Sequence, residues 1–267
     1  MKIRHNLSKG IAALAAVCAL AACSHIDEDK RLIEVPAPMV SKNVLIEDYT
    51  GQLCSNCPEA AETIHQLQQE YGSDRIIAVG IYGGPFGNNV KGPLPLTTEV
   101  GNSYAEAWGV TSQPCGVIDR LGLNKFYSTW RATVEERMQM QTPVTMDASL
   151  MVMGGKVVMT VHTACTENLS GTRIMAWLME DSIVSWQMMP TLKKNYQYIH
   201  NHVFRCALSP VEGEAIDLTA DESHRTNTYT LDADPTWVTK NLSAVAFVYD
   251  ATGVLQAVSA RTGDCCE

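Results

Sequence analysis

The sequence contains few basic residues. It has 20 Lys and Arg against 29 Asp and Glu in 267 residues, a formal net charge of −9. Proteins that bind nucleic acid, or that adhere electrostatically to an anionic membrane, need the opposite balance. The composition therefore argues against nucleic acid as a partner and against membrane binding through a basic surface.

Long apolar runs are also missing from the body of the chain. No run beyond the first 23 residues is long enough to span the roughly 30 Å hydrocarbon core of a bilayer. With 46% hydrophobic and 18% charged residues, the composition is that of an ordinary globular protein. The length leaves room for two domains.

Residues 1–22 are predicted to be a lipoprotein signal peptide. Three basic residues stand in the first nine positions, and an apolar run too short to span a bilayer follows. The run ends in Leu20-Ala21-Ala22-Cys23, which resembles the bacterial lipobox; a plain signal peptide is the alternative. We expect lipidated Cys23 to be the membrane anchor. Cleavage removes three basic and no acidic residues, so the net charge falls from −9 to −12.

Residues 23–35 are expected to form a polar tether between the anchor and the folded part. Asp27-Glu28-Asp29 resembles the acidic export signals of surface lipoproteins in some Gram-negative bacteria. A solvated linker is the alternative reading of this segment.

Cys54-Ser55-Asn56-Cys57-Pro58 lies between a predicted strand at residues 44–46 and a helical pattern at residues 58–71. A C-x-x-C at a strand-to-helix junction is typical of a thioredoxin-like redox site. The N–H groups and dipole of a helix N-terminus favour the thiolate of the first cysteine, and the second can close a disulfide. We therefore expect Cys54 to be the attacking thiolate and Cys57 the resolving thiol.

A second segment makes the resemblance to thioredoxin-like proteins more specific. Residues 75–82 form another predicted buried strand, which completes a β-α-β unit with the cysteines at its carboxyl edge. Downstream, Gly109-Val110-Thr111-Ser112-Gln113-Pro114 resembles the Gly-Val-x-x-x-Pro segment of that family, whose proline is cis and faces the C-x-x-C. The resemblance implies that Pro114 shapes the substrate groove.

The resemblance also implies a buried acid that assists proton transfer from the second cysteine. Asp48 stands at the matching position, six residues before Cys54. Glu47 would take the role if the strand register differed by one. A solvated strand end without a catalytic role is the alternative for both acids.

Several residues depart from the thioredoxin pattern. Leu53 replaces a tryptophan, and Ser55-Asn56 replaces the Gly-Pro dipeptide that tunes the redox potential, so the potential cannot be carried over. Cys115, next to Pro114, is either a third redox thiol or, as we favour, a small buried side chain. A metal site formed by Cys54, Cys57 and Cys115 is a further hypothesis.

Thr142-Pro143 opens a different pattern. Residues 144–152 alternate with period two, Gly154-Gly155 forms a tight turn, and residues 156–164 return as a partner strand. Further strand candidates lie at residues 173–179, 198–208, 226–231, 243–249 and 254–260. We therefore predict an α/β thioredoxin-like domain at residues 36–141, followed by an all-β immunoglobulin-like sandwich domain at residues 142–267.

Seven cysteines remain in the mature chain besides Cys23, an odd number that leaves at least one outside intramolecular pairs. An exported protein meets oxidising conditions, so disulfides are plausible. The pair Cys54 and Cys57 is the first candidate, and Cys165 with Cys206 is a second. Cys265-Cys266 closes only a strained ring, so separate partners or free thiols are expected there.

His200 and His202 share one face of the predicted strand at residues 198–208. With Cys206 or His162 they offer metal-ligand chemistry, but their spacing reproduces no known zinc pattern. We therefore expect surface or structural histidines, and no metal or other cofactor.

Taken together, the lipobox, the C-x-x-C-Pro motif, the distant Gln-Pro and the segment Tyr198-Ile199-His200-Asn201-His202-Val203-Phe204-Arg205 resemble the twenty-eight-kilodalton outer-membrane-protein family of Gram-negative anaerobes. The resemblance implies a lipid-anchored outer-membrane protein that faces the periplasm or the cell surface. Two functions compete. One is thiol–disulfide exchange on exported proteins. The other is binding of a surface ligand, as an adhesin or receptor, with a structural Cys54–Cys57 disulfide.

Overall fold

The fold is described by a computed structural model over residues 39–87, 96–220 and 224–263. The predicted signal peptide, the tether, Cys23 and Cys265-Cys266 lie outside these ranges, as does most of the loop at residues 83–96. Within the described ranges, no helix combines the length and hydrophobicity that crossing a bilayer requires.

The first half of the chain alternates strands and helices. Its strands are β1 Val40–Ser41, β2 Val44–Thr50, β3 Ile76–Tyr82, β4 Cys115–Ile118, β5 Leu123–Asn124 and β6 Gln141–Thr142, and its helices are α1 Cys57–Tyr71, α2 Glu99–Ala107 and α3 Trp130–Met138. The predicted helix at residues 58–71 and strand at residues 75–82 are confirmed. The first strand runs four residues further than predicted, so Glu47 and Asp48 lie within β2.

Helix α1 follows directly from its sequence. Pro58 occupies the first turn, where a missing N–H is not needed, and Ala60, Ile64 and Leu67 are buried at helical spacing. Gly72 ends the helix with a φ of 93° and donates its N–H to the Gln68 carbonyl. The start of this helix places Cys57 at its N-terminus.

The second half of the chain is built of strands. They are β7 Val144–Met153, β8 Lys156–Cys165, β9 Leu169–Glu180, β10 Ile183–Met188, β11 Lys194–His200, β12 Val203–Ala207, β13 Glu214–Leu218, β14 Arg225–Asp232, β15 Leu242–Asp250 and β16 Gly253–Arg261. The predicted hairpin at Gly154-Gly155 is confirmed, and both glycines have positive φ, at 58° and 76°.

The prediction of a single strand at residues 198–208 is wrong. The chain breaks there into β11 and β12, and His202 between them has a φ of 55°, which a strand residue cannot adopt. β10, which was not predicted, pairs with β11 as an antiparallel hairpin. The break falls in the polar run His200-Asn201-His202, which interrupts the alternation of polar and apolar residues.

Strands from both halves share one nine-stranded sheet. Its order is β16-β15-β9-β12-β3-β2-β4-β5, and β13 also pairs with β9. β12 makes the junction, because it pairs antiparallel with β9 and parallel with β3. β14, β8 and β7 form a separate three-stranded sheet.

Both faces of the large sheet are buried. One face carries a single core that combines Leu45 and Tyr104 from the first half with Trp177 and Phe247 from the second. On the other face, α1 and α3 cover β2 and β3, while the three-stranded sheet covers β9 and β15. The architecture is thus a mixed α/β sheet region followed by antiparallel β sheets.

A buried ion cluster stabilises the end of β4. Asp119 is fully buried, and its carboxylate accepts hydrogen bonds from Lys42 Nζ at 2.6 Å, Arg137 Nε at 2.7 Å and the Leu45 N–H at 3.0 Å. It links the strand, α3 and the segment before β2. Removing one partner of such a cluster leaves the other charges buried and unpaired.

We expect Asp119→Asn to lower the free energy of unfolding by roughly 3–5 kcal/mol, because two cations then lack their carboxylate. Asp232→Asn is the matched control. It breaks a pair with Lys156 whose side chains are 84% and 55% exposed, and should lower the free energy by less than about 1 kcal/mol. Urea unfolding measures both, and equal losses would contradict the role of the buried cluster.

Candidate redox site

Cys54 and Cys57 form a disulfide at the junction of β2 and α1, as predicted. Their Cα atoms are 5.4 Å apart, and the two side chains are only 3% and 2% exposed. The Cys54 N–H donates to the Gly51 carbonyl in the turn before the helix. A Cβ at Gly51 would overlap the backbone of Phe86, so glycine is required where these two loops meet.

The hairpin of β10 and β11 lies against this turn. Gln187 Nε2 donates to the Cys54 carbonyl at 2.8 Å, and it lies 3.2 Å from the Gly51 carbonyl oxygen. Gln52 Nε2 in turn donates to the Trp186 carbonyl at 2.7 Å. Sequence reasoning missed this contact, because the hairpin was not predicted and two glutamines carry no recognisable signal.

Asp48 and Glu47 are both buried, so a solvated strand end is wrong for either acid. They point to opposite faces of β2. Glu47 accepts a hydrogen bond from the Tyr49 hydroxyl at 2.9 Å and lies 3.5 Å from Arg120 Nη1. Burial raises the pKa of Glu47, and Arg120 opposes that shift.

Among the described residues, no cation offsets the effect of burial on Asp48 as Arg120 does for Glu47. Asp48 is 5% exposed, and its Oδ1 has no hydrogen-bond partner among the described residues. Burial raises the pKa of this carboxyl from 3.8 to about 7. Asp48 lines the same cavity as Cys57, whereas Glu47 does not. The register of β2 therefore brings Asp48, and not Glu47, to the cavity that Cys57 also lines.

The cavity has a volume of about 450 Å³ and lies between α1 and the hairpin. Its titratable lining residues, besides Asp48 and Cys57, are Glu62, His65, Tyr82, Tyr198, His200 and His202. His200 is buried, and its Nδ1 lies 2.7 Å from the Tyr82 hydroxyl. Burial lowers the pKa of His200 to about 4, so its imidazole is neutral at physiological pH.

The histidines have structural partners. His202 Nδ1 lies 3.2 Å from Asp181 Oδ1, and His162 on β8 shares a hydrogen bond with Thr226 at 2.9 Å. Across the described ranges, no three His, Cys, Asp or Glu side chains are grouped closely enough to hold a metal ion. The metal hypotheses for the cysteines and for the histidines thus gain no support.

The peptide between Gln113 and Pro114 is cis, as the thioredoxin resemblance implies. The buried Gln113 side chain joins the loops around the motif. Its Nε2 donates to the carbonyls of Thr50 and Gly83, and its Oε1 accepts from the Phe86 N–H at 2.8 Å. Gln113 therefore holds the segment before Cys54 against the loop that follows β3.

The other described cysteines, Cys115, Cys165 and Cys206, are free thiols. Cys115 is fully buried, and burial raises the pKa of its thiol to about 12, which disfavours a redox role. The candidate disulfide between Cys165 and Cys206 is not formed. Cys165 ends β8 in the three-stranded sheet and Cys206 lies on β12 in the large sheet, so they contribute to one core from opposite layers.

The structure so far defines a disulfide-bearing α/β region joined to antiparallel β sheets. The family described as outer membrane protein Omp28 matches residues 101–264, more than half of the 267-residue chain. The chain belongs to this family. It is an outer-membrane protein, as predicted. No curated protein matches the chain in a sequence search.

Two of the solved structures that match the chain come from Porphyromonas gingivalis. HBP35 of Porphyromonas gingivalis is 16% identical, with 85% of this chain and 79% of that chain covered and a TM-score of 0.63. A domain of the outer membrane lipoprotein Omp28 from the same organism is 23% identical, with 45% and 88% covered and a TM-score of 0.34. At these identities the likeness to HBP35 bears on the fold alone.

The raised pKa of Asp48 predicts a pH-dependent stability. The folded state favours the protonated carboxyl. The contribution of Asp48 to the free energy of unfolding is therefore fully present below about pH 4 and is lost as the pH rises through about 7. Asn stays neutral at every pH. We therefore expect the free energy of unfolding of Asp48→Asn, relative to that of the parent protein, to rise by up to roughly 4 kcal/mol between pH 4 and pH 8.

Urea unfolding across this pH range measures the difference. Asp74→Asn, at an exposed position, is the control for the loss of one carboxyl group. A difference between Asp48→Asn and the parent that does not change with pH would show that Asp48 is ionised in the folded protein.

Proposed function

We propose that this outer-membrane lipoprotein carries a thioredoxin-like thiol–disulfide exchange site that acts on exported proteins. The observation that carries the proposal is Asp48, a buried carboxyl that shares a cavity with Cys57 and whose Oδ1 has no hydrogen-bond partner in the described part of the chain. An uncompensated buried acid is costly to a fold and is characteristic of sites that move protons.

The order of elements supports a thioredoxin-like identity for the first half. A β-α-β unit carries the cysteines at the carboxyl end of its first strand, and α2, the cis Pro114 segment, β4 and α3 follow. In the second half, the three-stranded sheet packs on β9, β13 and β15. This face-to-face packing of antiparallel strands supports an immunoglobulin-like sandwich.

In the proposed reaction, a thiolate of an exported protein attacks Cys54 Sγ. A bond forms between the two sulfurs, the Cys54–Cys57 bond breaks, and the Cys57 thiolate takes the proton of the Asp48 carboxyl. A second thiolate of the partner then attacks the partner sulfur and releases Cys54. The partner dithiol becomes a disulfide and the Cys54–Cys57 pair becomes a dithiol.

The reverse sequence reduces a partner disulfide. Cys54 attacks first, and the Asp48 carboxylate accepts the proton of Cys57 before that thiolate resolves the mixed disulfide. Pro114 shapes the groove in which the partner sulfur approaches Cys54. No cofactor takes part in either direction.

Trapping the intermediate tests the exchange reaction. We expect Cys57→Ser to accumulate mixed disulfides between Cys54 and envelope proteins, because the resolving thiol is absent. Cys206→Ser, which removes a free thiol outside the motif, should leave no trapped species. Non-reducing electrophoresis followed by mass spectrometry identifies the adducts. The exchange proposal fails if Cys54 yields no adduct and reacts with a model disulfide no faster than a simple thiol.

The second candidate is a surface adhesin or receptor with a structural disulfide. The low exposure of Cys54 and Cys57 favours it, since neither sulfur is open to a partner in this conformation. The reduction potential separates the two candidates. Exchange catalysts have potentials of roughly −120 to −270 mV, whereas structural disulfides lie below about −300 mV. Equilibration against a glutathione or dithiothreitol couple measures the value.

A further inference from the structure

The β10–β11 hairpin occupies an unusual place in the fold. It leaves the large sheet after β9 and returns to it at β12, and among the described strands its own two pair only with each other. Its base is fixed. Ile183 packs with Tyr82 and Val203, and the His202 N–H donates to Asp181 Oδ1 at 2.6 Å.

The chain enters and leaves the hairpin through residues in the left-handed region. Ser182 has a φ of 61° and His202 a φ of 55°. Neither residue is glycine, so both ends of the hairpin are sharply turned and conformationally specific. From this base the hairpin reaches the turn that carries Cys54, where Gln187 donates to the Cys54 carbonyl.

Beyond the base, two buried glutamines join the hairpin to that turn. Gln187 on β10 donates to the Cys54 carbonyl, and Gln52 donates to the Trp186 carbonyl and to Ser185 Oγ at 3.0 Å. The Met188 N–H adds a backbone bond to the Gln52 carbonyl at 2.9 Å. Gln52 and Gln187 are 3% and 2% exposed, so water does not compete for these bonds.

The outer side of the hairpin has few contacts. Val184 and Ile199 face each other across the two strands and are 52% and 54% exposed, and Leu192 in the connecting turn is 75% exposed. The hydrogen bonds that Gln52 and Gln187 donate join neutral groups. Such bonds are weaker than charge-assisted hydrogen bonds. The far part of the hairpin can thus separate from the turn without breaking an ion pair.

We propose that the hairpin is a latch that closes the Cys54–Cys57 disulfide to thiols in solution. The latch opens when a partner replaces the Gln187 amide and the Met188 N–H at the carbonyls of Cys54 and Gln52. Opening frees the carbonyls of Cys54 and Gln52 as acceptors and the Gln52 side-chain amide as a donor. The partner that opens the latch is therefore a polypeptide segment, whose backbone offers N–H donors for the two carbonyls and a carbonyl for the amide. This inference builds on the proposed function, because it names how the exchange site is regulated.

The test measures how fast dithiothreitol reduces the disulfide in the purified full-length protein in detergent. Dithiothreitol becomes a cyclic disulfide and Cys54 and Cys57 become thiols, which are counted by alkylation and mass spectrometry. We expect Gln187→Ala to speed reduction about tenfold, by removing the donor to the Cys54 carbonyl. Gln197→Ala, at an exposed position on the same hairpin, should leave the rate unchanged.

Hydrogen exchange separates opening of the latch from general unfolding. In Gln187→Ala the Met188 amide should exchange faster, while the Val245 amide in β15 keeps its protection. The latch is refuted if the Met188 amide exchanges faster without faster reduction, or if the Gln187→Ala rate equals that of the parent protein. Equal acceleration by Gln197→Ala, or loss of protection at Val245, also refutes it.

The reduction rate tests the latch separately from the proposed exchange function. Faster reduction of Gln187→Ala in a protein that traps no partner supports the latch and refutes the exchange function. Trapped partners with an unchanged reduction rate support the exchange function and refute the latch.

Discussion

The pairing of β12 determines how the rest of the molecule is arranged. Val203 lies opposite Glu180 of β9 on one side and Gly80 of β3 on the other, and Gly80 in turn lies opposite Asp48 of β2. Four strands are thus aligned at one level. The hairpin between β9 and β12 must therefore leave the sheet beside the carboxyl ends of β2 and β3, where the disulfide lies.

The two adjacent acids of β2 show how the fold treats buried charge. On one face, Glu47 accepts a hydrogen bond from the Tyr49 hydroxyl and lies near the Arg120 guanidinium. The same guanidinium lies 4.9 Å from the centroid of the Tyr249 ring. On the other face, Asp48 lines a cavity, and its Oδ1 has no hydrogen-bond partner among the described residues. Burial raises the pKa of both acids, and Arg120 opposes the shift at Glu47. At Asp48 the pKa rises to about 7, so this carboxyl can exchange a proton near neutral pH.

The family assignment and the chemistry rest on different parts of the chain. The family match begins at residue 101, downstream of Cys54 and Cys57. It establishes an outer-membrane protein but does not reach the motif. The reaction therefore has to be argued from the disulfide, Asp48 and the hairpin, and the burial of both sulfurs is the fact that any account of function must explain.

The local features could be predicted from the sequence alone. Pro58 and the spacing of Ala60, Ile64 and Leu67 specify α1, Gly154-Gly155 specifies a hairpin, and the C-x-x-C specifies a disulfide, because each depends on neighbours in the chain. The three-dimensional fold was needed to show that Asp48 rather than Glu47 lines a cavity with Cys57, that Cys165 and Cys206 are not bonded, and that Gln187 donates to the Cys54 carbonyl. These contacts join residues distant in sequence, and they depend on strand register and sheet order, which periodicity does not encode.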